Sequence, residues 1–387
     1  MEVVVAAGGH IPSFYAHSFN VMKMAQGYSD LGHRVEVVAP LSIPLLIKKW
    51  RIGDIHDFYG VKKNLFIKFL NVYSLRTIFA TTNFKEFDRR AAKYCKERSV
   101  DLAHCRSYRI PYYCVKLGVP TIIETHTTNY DHPDLQKIYT VIDKANFLGL
   151  VTQSQIIKKE HVKRGIPEEK IIAIGNGVDL NRFEINDDKY FWRENLDLPK
   201  GRKLVVYCGH LYEEKGIEHI LLTAKKLSKY GVIFVLVGGF DKFISRWKNY
   251  CEEKKIGNVL FTGFVDNSDV PKYLKAADVL MMPYDTNVNY KVMNINTTSP
   301  IKLFEYMASK RPIVSTDIPA ISKILDHEKT GMLAKPNDIE ELSHFVSELL
   351  NNLEKSKQLS EKAYRIVKKY TWKKRCQKIL SKLLYCQ

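Results

Sequence analysis

The chain begins with the apolar stretch Glu2-Val-Val-Val-Ala-Ala7, which runs directly into Gly8-Gly9-His10. A helical pattern follows over residues 15–31, and a second apolar run occupies residues 34–39. A strand, a glycine loop, a helix and a second strand in this order form a β-α-β unit, and such units build parallel sheets. The opening of the chain therefore predicts an α/β protein.

The same alternation continues in two series. Further strands are predicted at 100–104, 121–125, 148–152 and 170–174, and then at 203–208, 233–237, 259–262, 278–282 and 312–315. We therefore predict a doubly wound parallel-sheet domain over 1–183, a linker over 184–201, a second such domain over 202–368 and a C-terminal helix over 369–387. Because open α/β sheets bind ligands beyond the carboxyl ends of their strands, a cleft between the two domains is the expected active site.

Composition excludes several classes of protein. The 387 residues are 45% hydrophobic and 26% charged, which is typical of a globular chain and not of a disordered, collagenous or coiled-coil one. We expect no transmembrane anchor, because no apolar run approaches the roughly 18 residues that a spanning helix needs. We expect no secretory signal, because residues 1–7 form a short apolar strand without a basic n-region or a cleavage site. The seven cysteines form no CxxC pair, so we expect reduced thiols in a cytoplasmic protein.

The charge balance favours anionic partners. Lysine and arginine number 60 against 42 acidic residues, a net charge of +18. Nucleic acid, phosphorylated small molecules and an acidic membrane face all fit such a charge, as does a solvated lysine-rich surface. The chain carries no recognisable nucleic-acid-binding module, so we expect no nucleic-acid partner.

The first local motif is Gly209-His210-Leu211-Tyr212-Glu213-Glu214-Lys215-Gly216, where a buried strand meets a helix. Gly209 allows a close approach of the backbone, and Lys215 lies at the predicted helix start. A cation beside a helix N-terminus is typical of a phosphate site. A solvent-facing lysine beside a capping glycine fits the same residues.

The second motif begins at Ser299-Pro300-Ile301-Lys302-Leu303 and continues through Glu305 to Ser309. Ser299 suits the N-cap and Pro300 the first helical position. Lys302 places a positive charge in the first turn, against the helix dipole, which favours a bound anion nearby. Glu305 lies on the same face and can accept hydrogen bonds from ribose hydroxyls; a surface Lys–Glu bridge is the alternative.

Further glycines follow buried strands of the second domain. Gly238 and Gly239 come after one strand, and Gly263 precedes Phe264 and Val265 after the next. Three strand ends marked by glycines, together with the helix start that carries Lys302, predict a pocket for a nucleoside diphosphate. In the first domain, His126 stands at a strand end, where a structural histidine is the alternative.

Together, these motifs, the corner Asn176-Gly177-Val178-Asp179 and the loop at Gly8 resemble family 4 of the retaining glycosyltransferases. The resemblance covers essentially the whole chain and implies the GT-B fold, in which two Rossmann-like domains bind a nucleotide sugar in their cleft. The C-terminal helix resembles the family's helix that crosses back onto the first domain.

The resemblance also implies roles for individual residues. Lys215, Glu305 and His126 are the expected catalytic residues: Lys215 holds the donor diphosphate, Glu305 binds the ribose, and His126 contacts the transferred sugar. Gly8, Gly9 and His10 form the expected acceptor and phosphate loop. The expected donor-binding residues are Gly209, His210, Lys215, Gly238, Gly239, Phe264, Val265, Ser299, Pro300, Ile301, Lys302, Leu303 and Glu305.

The chain departs from the family pattern at two positions. His210 stands where many members carry arginine, and Thr297 stands where many carry glutamate, eight residues before Glu305. Since that glutamate usually touches the donor sugar, the donor is left open. A non-catalytic or epimerase-type sugar-nucleotide-binding protein of the same fold is the alternative function.

The expected reaction is transfer of a sugar, with retention of configuration, from a UDP-sugar to a hydroxyl of a glycan or lipid-linked acceptor. Lys215 and Lys302 can stabilise the charge that grows on the leaving diphosphate. The chain has no DxD motif, so we expect no metal and no other cofactor.

A mixture of apolar and basic residues over 41–69 fits a contact with an anionic membrane on its cytoplasmic face. A basic, partly buried helix pair is the alternative. The residues concerned are Leu45, Leu46, Ile47, Lys48, Lys49, Trp50, Arg51, Phe58, Lys62, Lys63, Phe66, Lys68 and Phe69.

Overall fold

A computed structural model describes residues 1–40, 53–70, 84–287 and 296–385. The chain divides into two compact units. The first contains Met1–Asn176 together with Thr371–Gln387, and the second contains Gly177–Tyr370.

The first unit is built on a parallel sheet with the described strand order β3-β2-β1-β4-β5-β6-β7. The strands are β1 Glu2–Ala7, β2 Arg34–Pro40, β3 Phe66–Leu70, β4 Leu102–Arg106, β5 Thr121–Glu124, β6 Phe147–Thr152 and β7 Ile171–Ala173. The order reverses between β1 and β4, which is where doubly wound sheets open a ligand crevice. The loop at Gly8 therefore begins at this switch point.

Helices connect and cover these strands. They are α1 Ala16–Ser29, α2 Ile55–Tyr59, α3 Phe84–Glu97, α4 Arg109–Lys116, α5 Pro133–Tyr139 and α6 Gln155–Lys163. Every residue of β5 and β6 is buried, as expected for parallel strands covered on both faces.

The second unit repeats the architecture with the strand order β10-β9-β8-β11-β12-β13. Its strands are β8 Lys203–Cys208, β9 Val232–Val237, β10 Val259–Gly263, β11 Val279–Met282, β12 Ile313–Thr316 and β13 Met332–Ala334. The order reverses between β8 and β11, so Gly209 lies beyond the strand end at the second switch point.

The helices of the second unit follow its strands in the same way. They are α7 Lys189–Asn195, α8 Ile217–Leu227, α9 Asp241–Lys254, α10 Val270–Ala276, α11 Ile301–Ala308, α12 Pro319–Ser322, α13 Ile339–Asn351 and α14 Leu353–Val367. Two hydrophobic clusters pack on the sheet, one with Leu280 and Leu303, the other with Val205 and Leu342.

The segment predicted as a linker is packed into the second unit. It contains α7, whose Arg193 is 1% exposed. Arg193 donates hydrogen bonds of 2.7 Å to Asp278 Oδ2 and 2.9 Å to the carbonyl of Ala276. Turn residues suggested a linker, but the buried arginine fixes this segment to the sheet.

The last helix, α15 Trp372–Leu383, packs against α1 in the first unit. The two helices approach closely at Gly27, where a β-carbon would lie 2.7 Å from Cys376 Sγ and 2.8 Å from the carbonyl of Trp372. Thr371 caps the helix by accepting a hydrogen bond from the amide of Lys374 at 3.1 Å. A glycine in the last turn of α1 thus provides the space for α15.

Part of the segment expected to contact a membrane belongs to the fold. Residues 41–52 lie outside the described residues. Phe58 is fully buried and its ring packs against Phe14 and Phe19, so it cannot face a lipid surface. Residues Phe66–Leu70 form the edge strand β3 and not a helix, and Phe66 is 65% exposed.

Candidate functional site

Glycines at the carboxyl ends of β8, β9 and β10 let the backbone segments there approach one another closely. The amide of Gly209 donates to the carbonyl of Val237 at 2.9 Å, and the amide of Gly238 donates to that of Gly263 at 2.9 Å. Gly238 has a φ of +104°, and a β-carbon there would lie 2.7 Å from the carbonyl oxygen of Gly209. The backbone oxygen of Gly209 therefore leaves no room for a larger residue at Gly238.

Lys302 reaches this edge from the first turn of α11. Its Nζ donates a hydrogen bond of 2.7 Å to the hydroxyl of Tyr207 and lies 4.1 Å from the centroid of that ring. The Tyr207 hydroxyl in turn donates to the carbonyl of His210 at 2.7 Å. The ammonium group is therefore held beside the glycine turn that follows β8.

Lys215 belongs to the same site. It ends the 3₁₀ turn Glu213–Lys215, two residues before α8 begins, and its Nζ lies 5.3 Å from the ring centroid of Tyr284. Burial lowers the pKa of Lys215 to about 8. Burial, and after it the charge of Lys215, lowers the pKa of Lys302 to about 7. Two buried lysines close enough for the charge of one to lower the pKa of the other favour a bound anion.

Gly216 fixes the position of Lys215. Gly216 has a φ of +66°, and a β-carbon there would lie 3.0 Å from the carbonyl carbon and oxygen of Pro283. Glycine at this position therefore lets the chain turn from Lys215 into α8 without backbone strain and without crowding Pro283.

Glu305 has a partner that the sequence did not suggest. Arg182 Nη1 donates to Glu305 Oε1 at 3.2 Å, and both side chains are about nine-tenths buried, with 10% and 12% exposed. Arg182 Nη2 also donates to the carbonyl of Asn267. Arg182 follows the corner Asn176–Asp179, where Asp179 Oδ1 accepts from the amide of Asn181 at 3.2 Å. That corner was predicted only as a turn, although it carries the arginine to Glu305.

The start of α11 differs slightly from the prediction. The helix begins at Ile301, with Pro300 at the N-cap, and no side chain caps it. Leu303 is fully buried in the core and its amide donates to the carbonyl of Pro300 at 3.2 Å. The structure therefore does not bring the Leu303 side chain to the site, because the helix turns it inward.

His210, at the position of the family's arginine, lies in an aromatic stack. Its ring centroid is 5.1 Å from that of Tyr212 and 5.2 Å from that of Phe240. Gly239 precedes Phe240 and has a φ of +94°. A β-carbon at Gly239 would lie 2.7 Å from the side chain of Leu211. Phe264 is 39% exposed beyond β10, whereas Val265 packs partly against the core.

The first unit has its own cavity at the end of β1 and β4, of about 370 Å³. A β-carbon at Gly8 would lie 2.6 Å from Cβ of Ser107, and one at Gly9 would lie 3.5 Å from the ring of His17. The His10 ring packs edge-on against Phe84, with centroids 5.1 Å apart. Gly8 thus lines the cavity, and His10 turns to a neighbouring helix.

His126 lines the same cavity, with both ring nitrogens engaged. Nε2 lies 2.7 Å from Glu124 Oε1, and Nδ1 lies 2.9 Å from Arg106 Nη2. Burial, and then the charge of Arg106, lowers the pKa of His126 to about 4. The ring is therefore neutral at pH 7 and is not arranged to accept a proton.

His17 is a cavity residue that the sequence analysis missed. It lines the pocket with Gly8 and Arg106, and its Nε2 has no hydrogen-bond partner among the described residues. Burial, and then Arg106, lowers the pKa of His17 to about 3. A neutral histidine facing a cavity can bind a hydroxyl group.

Comparison with known families agrees with this geometry. A family model described as Glycosyltransferase Family 4 matches residues 20–182, and one described as Glycosyl transferases group 1 matches residues 188–366. The chain therefore belongs to the group 1, family 4 glycosyltransferases.

Individual relatives support the same family. An uncharacterized glycosyltransferase of Methanocaldococcus jannaschii is 25% identical over 380 residues, which cover 90% of this chain and 89% of that protein. The processive diacylglycerol alpha-glucosyltransferase of Acholeplasma laidlawii is 26% identical over 270 residues, covering 64% of this chain and 74% of the relative. These matches favour a transferase over the epimerase-type and non-catalytic alternatives.

Solved structures show the GT-B fold. Anabaena Alr3699/HepE, determined with UDP and with UDP-glucose, has a TM-score of 0.72 at 16% identity, over 99% of both chains. Sucrose-phosphate synthase from Thermosynechococcus elongatus also has a TM-score of 0.72, at 17% identity, over 100% of this chain and 99% of that one. Within the described part of the chain, no helix is long and apolar enough to cross a membrane.

Proposed function

We propose that this enzyme transfers a sugar from a UDP-sugar, with retention of configuration, to a hydroxyl of a glycan or a lipid-linked glycan. The observation that carries the proposal is the position of Lys302 beside the glycine turn after β8, with Lys215 close enough for its charge to lower the pKa of Lys302. Burial disfavours the charged form of both lysines, and the charge of Lys215 disfavours that of Lys302 further; a bound diphosphate would offset both effects. The UDP complexes of Alr3699/HepE support the choice of donor. The diacylglycerol named for the Acholeplasma relative supports an acceptor that contains a lipid.

The chemistry follows from the charge that develops in the reaction. As the bond between the sugar and the diphosphate lengthens, negative charge grows on the leaving phosphate. Lys215 and Lys302 are placed to stabilise that charge, and such preorganised cations act most strongly where water is excluded. Since they supply the positive charge, the proposal includes no metal and no other cofactor.

The remaining residues position the substrates. Glu305, held by Arg182, accepts hydrogen bonds from the ribose hydroxyls. His126 contacts the transferred sugar as a neutral group, and the departing phosphate accepts the proton of the acceptor hydroxyl. The cavity lined by Gly8 and His17 binds the acceptor.

Binding of the donor tests the nucleotide site. UDP should raise the melting temperature of the wild-type protein by mass action, and Lys215→Ala should abolish most of that shift. Lys229→Ala is the matched control, because Lys229 is exposed at the other end of α8. Equal shifts in wild type and Lys215→Ala would contradict the assignment of the site.

Turnover tests the reaction. A panel of UDP-sugars is incubated with glycan and diacylglycerol-type acceptors, and the anomeric configuration of the product is read by NMR. We expect release of UDP with formation of an α-linked product from an α-linked donor. An inverted product, or an epimerised donor without transfer, would refute the proposed reaction.

We also propose that the enzyme works in the cytoplasm, at an anionic membrane surface bound through the basic residues Lys48, Lys49 and Arg51, which lie outside the described residues. The protein should pellet with phosphatidylglycerol vesicles, and replacing the three residues by glutamine should reduce pelleting. Replacement of the exposed residues Lys225, Lys226 and Lys229 controls for net charge. Equal pelleting of both triple variants would count against the proposal.

A further inference from the structure

The carboxylate that holds His126 is itself held by the last helix of the chain. Glu124 ends β5 and is 1% exposed. Arg375 in α15 donates to both of its oxygens, from Nη1 to Oε2 at 3.0 Å and from Nη2 to Oε1 at 3.1 Å. His104 Nε2 lies 3.1 Å from the same Oε2. Glu124 therefore joins two histidines to an arginine that lies 251 residues later in the sequence.

Arg375 is buried and held by hydrogen bonds, like the Glu124 carboxylate that it binds. It is 2% exposed, and its Nε donates to the carbonyl of Gly175 at 2.9 Å. The close packing of α15 on Gly27 of α1 determines where the guanidinium lies. A planar fork that binds both oxygens of a carboxylate sets the plane of that carboxylate as well as its position, which a lysine cannot do.

The position and charge of the Glu124 carboxylate determine the tautomer and the ring plane of His126. Burial raises the pKa of the Glu124 carboxyl, but Arg375 and the two histidines outweigh it and hold that pKa well below its usual value. The ionised carboxylate can only accept, so His126 donates from Nε2 and its Nδ1 accepts from Arg106. A hydrogen bond at each nitrogen fixes the ring plane and selects one tautomer.

We propose that Arg375 is a positioning residue for the glycosyl-transfer reaction, acting on His126 through Glu124. The C-terminal helix thereby supplies part of the geometry of the site in the first unit, although Arg375 lines no part of the cavity there. This inference rests on the proposed role of His126 at the transferred sugar. If Arg375 served folding alone, its loss would leave the orientation of His126 and the rate of the chemical step unchanged in folded protein.

Kinetics of Arg375→Lys test the proposal, since lysine keeps the charge and loses the fork. We expect kcat to fall roughly 10- to 100-fold, as small misplacements near reacting groups do, while the affinity for UDP stays within about twofold of wild type. Lys378→Met, on the exposed face of the same helix, should leave kcat unchanged. A variant Arg375→Lys with wild-type kcat, or one that loses kcat and UDP affinity together, would overturn the proposal.

A double-mutant cycle and a spectroscopic measurement make the test independent of how well one variant folds. Glu124→Gln should lower kcat to a similar extent, and the double variant should lose little more; additive losses would contradict action through Glu124. In protein labelled with ¹⁵N-histidine, His126 of the wild type should show the Nε2–H tautomer, assigned by its absence in His126→Gln. A proton on Nδ1 in the wild type would also overturn the proposal.

These outcomes separate the inference from the proposed function. If the wild type transfers no sugar from any UDP-sugar, the proposed function fails, while the tautomer of His126 in wild type and Arg375→Lys still reports whether the helix orients the ring. If the wild type is active and Arg375→Lys is equally active, only the inference fails.

Discussion

Gly209 lies so close to Lys302 that a β-carbon at this glycine would stand 2.8 Å from Nζ and 3.2 Å from Cε of the lysine. Gly209 also has a φ of +147°, which an L side chain rarely adopts. Because residue 209 has no side chain, the Lys302 ammonium group can pack directly against the backbone after β8.

Gly209→Ala should displace Lys302 and weaken UDP binding roughly tenfold, because the loss of one well-placed charged contact is worth about 1.4 kcal/mol or more. Isothermal titration calorimetry with UDP measures the effect. Gly257→Ala is the control, since among the described residues, apart from the two chain neighbours, none has an atom within 4 Å of a β-carbon there. Equal UDP affinity in Gly209→Ala and wild type would show that Lys302 does not bind the diphosphate from this position.

The sequence predicted most of the fold because most of its strands are short apolar runs that alternate with helical patterns. The strands at Glu2–Ala7 and Lys203–Cys208 have the predicted bounds. Two strands were missed for physical reasons. Phe66–Leu70 is a half-exposed edge strand with a lysine in its centre, and Met332–Ala334 has three residues, too few to show a period.

The site could be predicted only where local sequence carries it. Lys215 and Lys302 adjoin glycine and proline signals that mark strand ends and helix starts. Arg182 and Arg375 reach their carboxylates across 123 and 251 residues, and no spacing rule connects such pairs. His17 lies within an ordinary helical pattern, and only the folded chain turns it toward a cavity.

Binding of UDP should weaken as the pH rises. The pKa of Lys302 is lowered to about 7 and that of Lys215 to about 8, so both lose their charge between pH 7 and 9. The diphosphate keeps its charge over this range, because the second ionisation of a phosphate has a pKa of about 6. Above its pKa, each lysine must take up a proton before it can bind the diphosphate as a cation. This proton uptake lowers the affinity for UDP by up to about tenfold per pH unit for each lysine.

Calorimetry at pH 7, 8 and 9 should show the dissociation constant for UDP rising at least about tenfold over the series. Lys302→Met should bind more weakly at pH 7 and show a flatter profile, while Lys229→Met should keep the wild-type profile. A flat profile in the wild type would mean that neither lysine titrates with the ligand.

Recognition of ribose should depend on Glu305. A carboxylate that accepts from a ribose hydroxyl discriminates against a ligand that lacks it, by about 1–3 kcal/mol. Wild type should therefore bind UDP more tightly than 2′-deoxy-UDP or 3′-deoxy-UDP, and Glu305→Gln should reduce that preference. Glu361→Gln, on the exposed surface of α14, controls for the change of charge. If wild type binds UDP and both deoxy analogues equally well, Glu305 does not contact the ribose.

Acid should destabilise the first unit well above pH 4. Burial, followed by the charge of a nearby arginine, lowers the pKa of His126 and of His161 to about 4 each and that of His17 to about 3. In the unfolded chain these groups titrate near 6.5. Between pH 6.5 and 4 the unfolded state therefore binds more protons than the folded state, and stability falls as the pH falls.

Each such histidine contributes a slope of about 1.4 kcal/mol per pH unit inside this window. Urea unfolding followed by circular dichroism at pH 7, 6, 5 and 4.5 should show the midpoint falling progressively below pH 6.5. His161 is fully buried, and its Nδ1 lies 2.9 Å from the hydroxyl of Tyr139. His161→Phe should therefore lower stability at neutral pH. It should also make the loss of stability with falling pH less steep, because one titrating histidine is removed. His344→Phe, at an exposed position, is the matched control for replacing a histidine by phenylalanine. If His161→Phe and wild type lose stability in parallel from pH 6.5 to 4.5, proton uptake by His161 is not what drives the acid transition.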